Sequence, residues 1–385
     1  MPPPKALPSG AHPPLQPGYI LRGHAQPIHA LTFLSDNKHL LTADAAGICV
    51  LWTLATRRPL AVWAAHAASI LSVAEWTPAP PSALTDRRII THGRDHKLCV
   101  WKFPQPSDDV AVTLPIDTGG AITGHPPWLV STLSVNALNF CGFAHCPARD
   151  EDPDGEGYTP ILVAVPSPLE SAAVDIFSLP STTRVHARIQ ASAQTGMAMA
   201  LSLCWAAGVL TLITGYESGH VTVFSHREGT WSEVYISQAH TQPVLSMSVA
   251  PQREWFLTTA ADAHLVRHAL EQEGAEKTVD TKHSGLQTVA VRSDGKIFAT
   301  AGWDGRFRVF SAKTMKELAV LKWHTVGCYA VAFAEILADE STDEQADTEV
   351  ARPMSVGEAR VRRESRQHWI AGGAKDGKIS LWKVY

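Results

Sequence analysis

Asp95-His-Lys-Leu-Cys-Val-Trp101 decides the fold, because it recurs. Asp262-Ala-His-Leu-Val-Arg-His268, Asp304-Gly-Arg-Phe-Arg-Val-Phe310 and Asp376-Gly-Lys-Ile-Ser-Leu-Trp382 are built the same way. Each has an Asp in a tight turn, a short alternating strand, and a bulky residue six positions after the Asp. Residues 46–52, 171–177 and 218–224 share the shape without the leading Asp, which makes seven segments. Upstream, a His precedes an apolar run such as Ile28-His-Ala-Leu-Thr-Phe33 or Leu286-Gln-Thr-Val-Ala-Val291. These histidines are His24, His66, His240, His283 and His324. The spacing is 22 residues from His24 to Ala46, 22 from His240 to Asp262 and 21 from His283 to Asp304, a constancy that chance would not hold. It grows to 29 after His66, where Pro78-Ala-Pro-Pro81 intervenes, and to 52 after His324, where the polar segment 338–367 is inserted.

A unit of about 40–45 residues, with a His near its start and a Trp near its end, matches a four-stranded propeller blade. The chain resembles the WD-repeat family at Gly23-His24 and at the strand-ending Trp52, Trp101 and Trp382, and the resemblance covers about residues 18–385. It departs from the family in two ways. No repeat ends in Trp-Asp, and the third, between residues 128 and 179, is degraded. The expected fold is all-β: a seven-bladed WD-repeat β-propeller over 18–385, behind a flexible Pro-rich N-terminus at 1–17. The last strand leaves the seventh blade one strand short. Residues 18–22 can supply that strand and so remove a free sheet edge. Deleting 18–22 should therefore destabilise the fold, whereas deleting 1–15 should not.

Thr42, Thr91, Thr214, Thr258 and Thr300 each lie four residues before the turn position. In the WD-repeat family a turn Asp, the His, a strand Ser or Thr and the Trp form a buried hydrogen-bonded network. A buried carboxylate needs donors, which an imidazole N–H and a hydroxyl supply, and an indole N–H needs an acceptor. The second blade reads as having all four: His66, Thr91, Asp95 and Trp101. The sixth reads as His283, Thr300 and Asp304, with Phe310 for Trp, and the seventh as His324, Asp376 and Trp382, with Gly372 for Thr. A His–Asp–Thr set suggests catalysis on paper. Its recurrence at blade spacing assigns it to the fold instead.

Net charge near -4 and 18% charged residues argue against a broad nucleic-acid-binding face. No apolar run of membrane-spanning length occurs, and the Pro-rich start is not a secretory signal. The six cysteines are dispersed; Cys49 and Cys99, in strand-like apolar runs, read as small buried hydrophobes, and a reducing compartment is expected. Cys141, His145 and Cys146 lack a fourth ligand and standard zinc spacing, so no metal is expected, and no cofactor or small-molecule substrate either. Three insertions exceed a blade's needs. Residues 103–128 are expected to link blades two and three. Residues 141–159 carry the acidic run Asp150-Glu-Asp-Pro-Asp-Gly-Glu156. Residues 338–367, acidic then basic, are expected to be disordered, with Ser355 and Ser365 as candidate modification sites.

The opening Pro17-Gly-Tyr-Ile-Leu-Arg-Gly-His24, the run Thr42-Ala-Asp-Ala-Ala-Gly-Ile-Cys-Val-Leu-Trp52, the terminal Ala371-Gly-Gly-Ala-Lys-Asp-Gly-Lys-Ile-Ser-Leu-Trp382 and the long seventh-blade insertion together resemble the fungal ASTRA-associated protein 1 family. They are also similar to the animal G-protein β-subunit-like protein. The resemblance implies a nuclear, non-enzymatic scaffold in a complex tied to chromatin remodelling. Its partners would be other ASTRA subunits and the factors that mature phosphatidylinositol-3-kinase-related kinases, with no direct nucleic-acid or membrane contact. Arg22, Arg94 and Trp303, near the blade-top turns, are the candidate partner-binding residues. A substrate receptor of a cullin-type ubiquitin ligase is the alternative. Trp303-Asp-Gly-Arg306 spells that class's docking box, but it falls on a turn rather than at a strand end. A G-protein β subunit would need an N-terminal coiled-coil helix, which the prolines of residues 1–17 forbid.

Overall fold

The computed structural model describes residues 15–76, 87–136, 140–148, 160–270, 275–337 and 354–384. They form seven four-stranded antiparallel sheets, a closed β-propeller. Six blades run in chain order: residues 28–64, 70–134, 144–189, 198–238, 244–280 and 286–322. The seventh joins Cys328–Phe333, Trp369–Ala374 and Lys378–Lys383 to the N-terminal strand Tyr19–Arg22. Tyr19 pairs with Leu381 and Arg22 with Lys378, so the N-terminal strand closes the ring as expected.

Strand alternation gives each blade two apolar faces, and blades bury them against each other. Seven apolar clusters result, one at each junction between neighbouring blades. At the closing junction Leu21 of the N-terminal strand packs with Trp52, Trp369 and Leu381. Gly23 must be glycine, because a Cβ there would stand 2.7 Å from the Trp52 ring and 2.8 Å from Leu114.

Two sequence expectations are corrected. Insertion 103–128 does not link blades two and three. It lies inside blade two, between the strand Lys97–Lys102 and the outermost strand Leu129–Ser134. The third blade therefore begins at Ala144 and ends at Ile189, not between 128 and 179. The insertion is structural: it crosses back over blade one, where Val62 N–H donates to Ala111 at 2.7 Å and Ile116 N–H to Gly23 at 3.0 Å.

The other correction concerns 338–367, whose C-terminal part is ordered. Val356–Ser365 is an α-helix with a capping box, Ser355 and Glu358 each bonding the other's backbone N–H. Ten residues are marginal for an isolated helix. Tertiary contacts hold this one by its C-terminal end. Asn37, fully buried in a turn of blade one, donates to the carbonyls of Glu335 (2.8 Å) and Ser365 (3.0 Å), and accepts from Glu335 N–H (2.9 Å). Arg57 pairs with Glu364 at 2.6 Å. Asn37→Ala leaves these buried groups without partners and should destabilise the helix attachment by about 1–3 kcal/mol. Hydrogen exchange across 356–365 should accelerate while blade cores stay protected, and unchanged protection there would refute this attachment. Ser365 is buried in the clamp and Ser355 is the exposed cap. The acidic stretches 150–156 and 339–349 and residues 1–14 lie outside the described residues.

Candidate interaction surface at the channel mouth

The first strands of six blades, and the residues just before that of blade three, line a central cavity of about 560 Å³. In six blades that strand carries a β-bulge at the same place, skipping His29, Leu71, Met199, Leu245, Gln287 and Tyr329 in the pairing register. A bulge re-aims one side chain. All six skipped residues line the cavity. Each follows a fully buried apolar residue: Ile28, Ile70, Ala198, Val244, Leu286 or Cys328. The third blade has no such bulge and contributes Phe140, Gly142 and Phe143. Gly142 approaches blade two so closely that a Cβ would be 2.7 Å from that of Ser72.

The ring is two-sided. Blades six, seven and one present Gln287, Tyr329 and His29, and blades two, four and five present Leu71, Met199 and Leu245. Arg94 and Trp303, two candidate residues from sequence, both line this cavity, whereas Arg22 lies on the outermost strand of blade seven. The Arg94 guanidinium stacks 4.3 Å from the Phe140 ring centroid, and Phe140 is half exposed. Trp303, 47% exposed, is steadied by its Nε1–H donating to Gln287 at 2.8 Å. His29 Nδ1 lies 2.8 Å from Ser69 Oγ, and its ring stands edge-on to Tyr329. Burial, with Arg94 nearby, holds the His29 imidazole below its usual pKa.

Beneath the mouth, hydrogen-bonded networks fix the turns that carry these residues. In blade two Trp101 Nε1–H donates to Thr91 (2.9 Å), Thr91 lies 2.8 Å from His66 Nε2, and His66 Nδ1 lies 2.8 Å from Asp95. Blade one holds the same set, with Trp52, Thr42, His24 and Asp44, which the sequence reading missed by placing the turn position at Ala46. Blade five has one too: His240 bridges Thr258 and Asp262, and His268 replaces the indole, with Tyr235 on its other nitrogen at 2.9 Å.

The expected sixth-blade set does not assemble. His283 is half exposed and 3.8 Å from Asp304, and Thr300 Oγ has no partner. Arg308, 2% exposed, grips Asp304 with both terminal nitrogens at 3.2 and 2.6 Å and takes the imidazole's place. In blade seven His324 lies 3.4 Å from Asp376. Phe307 occupies the space a side chain at Gly372 would need, as a Cβ there would be 2.3 Å from its ring. The hydroxyl therefore comes from Ser380, paired opposite Gly372, 3.0 Å from His324 and 2.9 Å from Trp382 Nε1.

His92 was not singled out by sequence. It sits fully buried where blades one, four, five, six and seven have Ala43, Gly215, Thr259, Ala301 and Gly373, and neither ring nitrogen has a partner. Burial holds it neutral, with a pKa of about 3, and the neighbouring His66 adds to the depression. Its unfolded value is about 6.5, so below that pH the unfolded chain binds a proton that the folded chain refuses. Stability should fall as pH drops from 6.5 toward 3. In His92→Leu the loss of melting temperature between about pH 7 and 5 should be smaller than in the parent. An equal or larger loss would contradict this. Cys141, His145 and Cys146 are packed into the junctions around blade three, and burial raises the Cys146 thiol to about 12. Among the described residues no group of three or more His, Cys, Asp or Glu could hold a metal.

A family model described as ASTRA-associated protein 1 matches residues 17–382, the whole propeller. The chain belongs to that family. It is 44% identical to the ASTRA-associated protein 1 of Aspergillus flavus, over 99% of this chain and all of that protein. It is also 44% identical to the Verticillium alfalfae protein of that name, over 96% and 93%. The Schizosaccharomyces pombe protein of that name is 29% identical, over 96% and 99%. The family match thus extends across blade three, which the sequence reading found degraded, and across the seventh-blade insertion.

Proposed function

We propose that this chain is a non-enzymatic scaffold subunit of a nuclear ASTRA complex. In that complex it would serve chromatin remodelling and the maturation and stability of phosphatidylinositol-3-kinase-related kinases. Membership of a family named for association with ASTRA supports the assignment. The channel mouth supports the mode of action: six bulged strands point one side chain each into a shared opening, flanked by Arg94 and Trp303. Exposed Trp and Arg beside an apolar half-ring make a docking hot spot for a protein segment. The partners are other ASTRA subunits and kinase-assembly factors, met without nucleic acid or membrane.

The test is affinity purification of the tagged chain from nuclear extract, beside an Arg94→Glu/Trp303→Ala variant, with mass spectrometry of what is recovered. The parent should bring ASTRA subunits and kinase-assembly factors. The variant should lose them by roughly 30-fold or more, since hot-spot truncations cost about 2 kcal/mol each. Recovery of a cullin adaptor instead would overturn the assignment.

A further inference from the structure

The outermost strand of each blade has no neighbour beyond it in its sheet. Such an edge is a template for another strand, and charged side chains on it discourage pairing. Six of the seven outermost strands carry them. Arg58, Arg184, Glu233, Lys277, Glu317 and Arg22 stand on those of blades one, three, four, five, six and seven. Blade one is covered as well, since Val62 N–H on its edge donates to Ala111 of the insertion 103–128.

Blade two is the exception. Its outermost strand, Leu129–Ser134, has no charged residue, and none occurs anywhere from Pro126 to Asn136. The strand pairs with Lys97–Lys102 on one side, and among the described residues no backbone group bonds its other side. Ser131 to Ser134 keep an unbroken register, so alternate N–H and C=O groups face outward. A bulge leaves Val130 out of that register. Trp128, Leu129 and Val130 are 76%, 45% and 43% exposed in a row. Free backbone groups beside three adjacent large apolar side chains are what an added strand takes up.

We propose that this edge of blade two is a docking site for an extended, uncharged, apolar-containing segment of a partner protein, which joins the sheet as a fifth strand. The chemistry of the edge selects this occupant. A charged segment meets no opposite charge there and loses its hydration. A second copy of the chain offers the same edge, but the edge is about 20 Å long and about 10 Å thick. Two rigid propellers meeting along it fall well short of the roughly 1,200 Å² of a stable interface. A pliant segment also folds over Trp128. The site is distinct from the channel mouth and does not depend on the ASTRA assignment.

The test titrates the full chain into a fluorescein-labelled peptide of alternating valine and threonine, read by anisotropy. The peptide should bind, and raising the salt should not weaken it. The same peptide methylated on every backbone nitrogen keeps its side chains but cannot form the ladder, and should not bind. Val130→Lys should weaken binding at least about tenfold, because the added strand must desolvate the ammonium. Leu318→Lys, at a comparably exposed position on the outermost strand of blade six, should leave binding unchanged. Both side chains are exposed, so neither change should move the melting temperature. No binding of the peptide, equal binding by its methylated form or by the Val130→Lys chain, or an equal loss in Leu318→Lys would each overturn the proposal. A dimer in sedimentation that Val130→Lys dissolves would overturn it too, by giving the edge to a second copy.

Discussion

Replacing His24 by Ala should lower the free energy of unfolding by about 3–5 kcal/mol, the cost of stranding one member of a buried ion-paired set. The same change at His283 should cost less than about 0.5 kcal/mol. Both histidines precede an inner strand, His24 four residues before Ile28 and His283 three before Leu286. The structure separates them. His24 is 1% exposed and joins Asp44 to Thr42, and without it the fully buried Asp44 keeps only its bonds from backbone N–H groups. His283 is half exposed, and Arg308 already neutralises Asp304. Arg308→Ala should cost less than His24→Ala, since Asp304 keeps access to solvent and stays near His283 and Arg306. Urea denaturation of the three purified variants decides the matter. Equal losses for His24→Ala and His283→Ala would sink the assignment of Arg308 as the sixth blade's substitute.

Removing residues 18–22 should abolish recovery of soluble, folded protein. The strand Tyr19–Arg22 contributes a four-residue ladder to Lys378–Lys383, and Gly18 N–H adds a bond to Leu381 at 2.7 Å. Leu21 is 1% exposed within the cluster that also holds Trp52 and Trp369. Leu21→Ala alone should cost about 2–5 kcal/mol by transfer and cavity terms. The deletion adds a bare sheet edge and uncovers the apolar junction between blades seven and one. A deletion variant with the parent's denaturation midpoint would show that the ring is stable open.

The seven blades, their order and their closure were legible because a four-stranded unit repeats its turn and its bulky strand end whatever its loops do. The networks were legible where their members fall at one register. Thr and Trp are ten residues apart in blades one and two alike, yet the carboxylate lies two residues after Thr42 as Asp44 and four after Thr91 as Asp95. Either end of the turn reaches the imidazole at 2.8 Å, so a rule fixed on one end passes over the other. Substitutions across space were harder to read. Ser380 stands in for a Thr that Phe307 excludes, and Arg308 for a His, and neither shares a register with the residue it replaces. The outermost strand of blade two was hidden because 103–128 intervenes before it. Arg94 and Trp303 could be named from their turns. The ring of bulged residues had a signal that was not used, the position after the first apolar residue of each inner strand.

The seam between blades seven and one has a consequence for how the chain is made. Tyr19–Arg22 leaves the ribosome about 360 residues ahead of its partner Lys378–Lys383. At ~5–20 residues per second the first strand waits roughly 20–70 s for its mate. Residues 103–128 arrive much sooner, and they reach back to Gly23, to the Trp52 ring through Leu114, and to the edge of blade one through Val62. During synthesis that crossing segment can hold the start of the ring beside blade one and shield its apolar surface. The nascent chain then carries its closing strand in place until the last blade emerges to meet it.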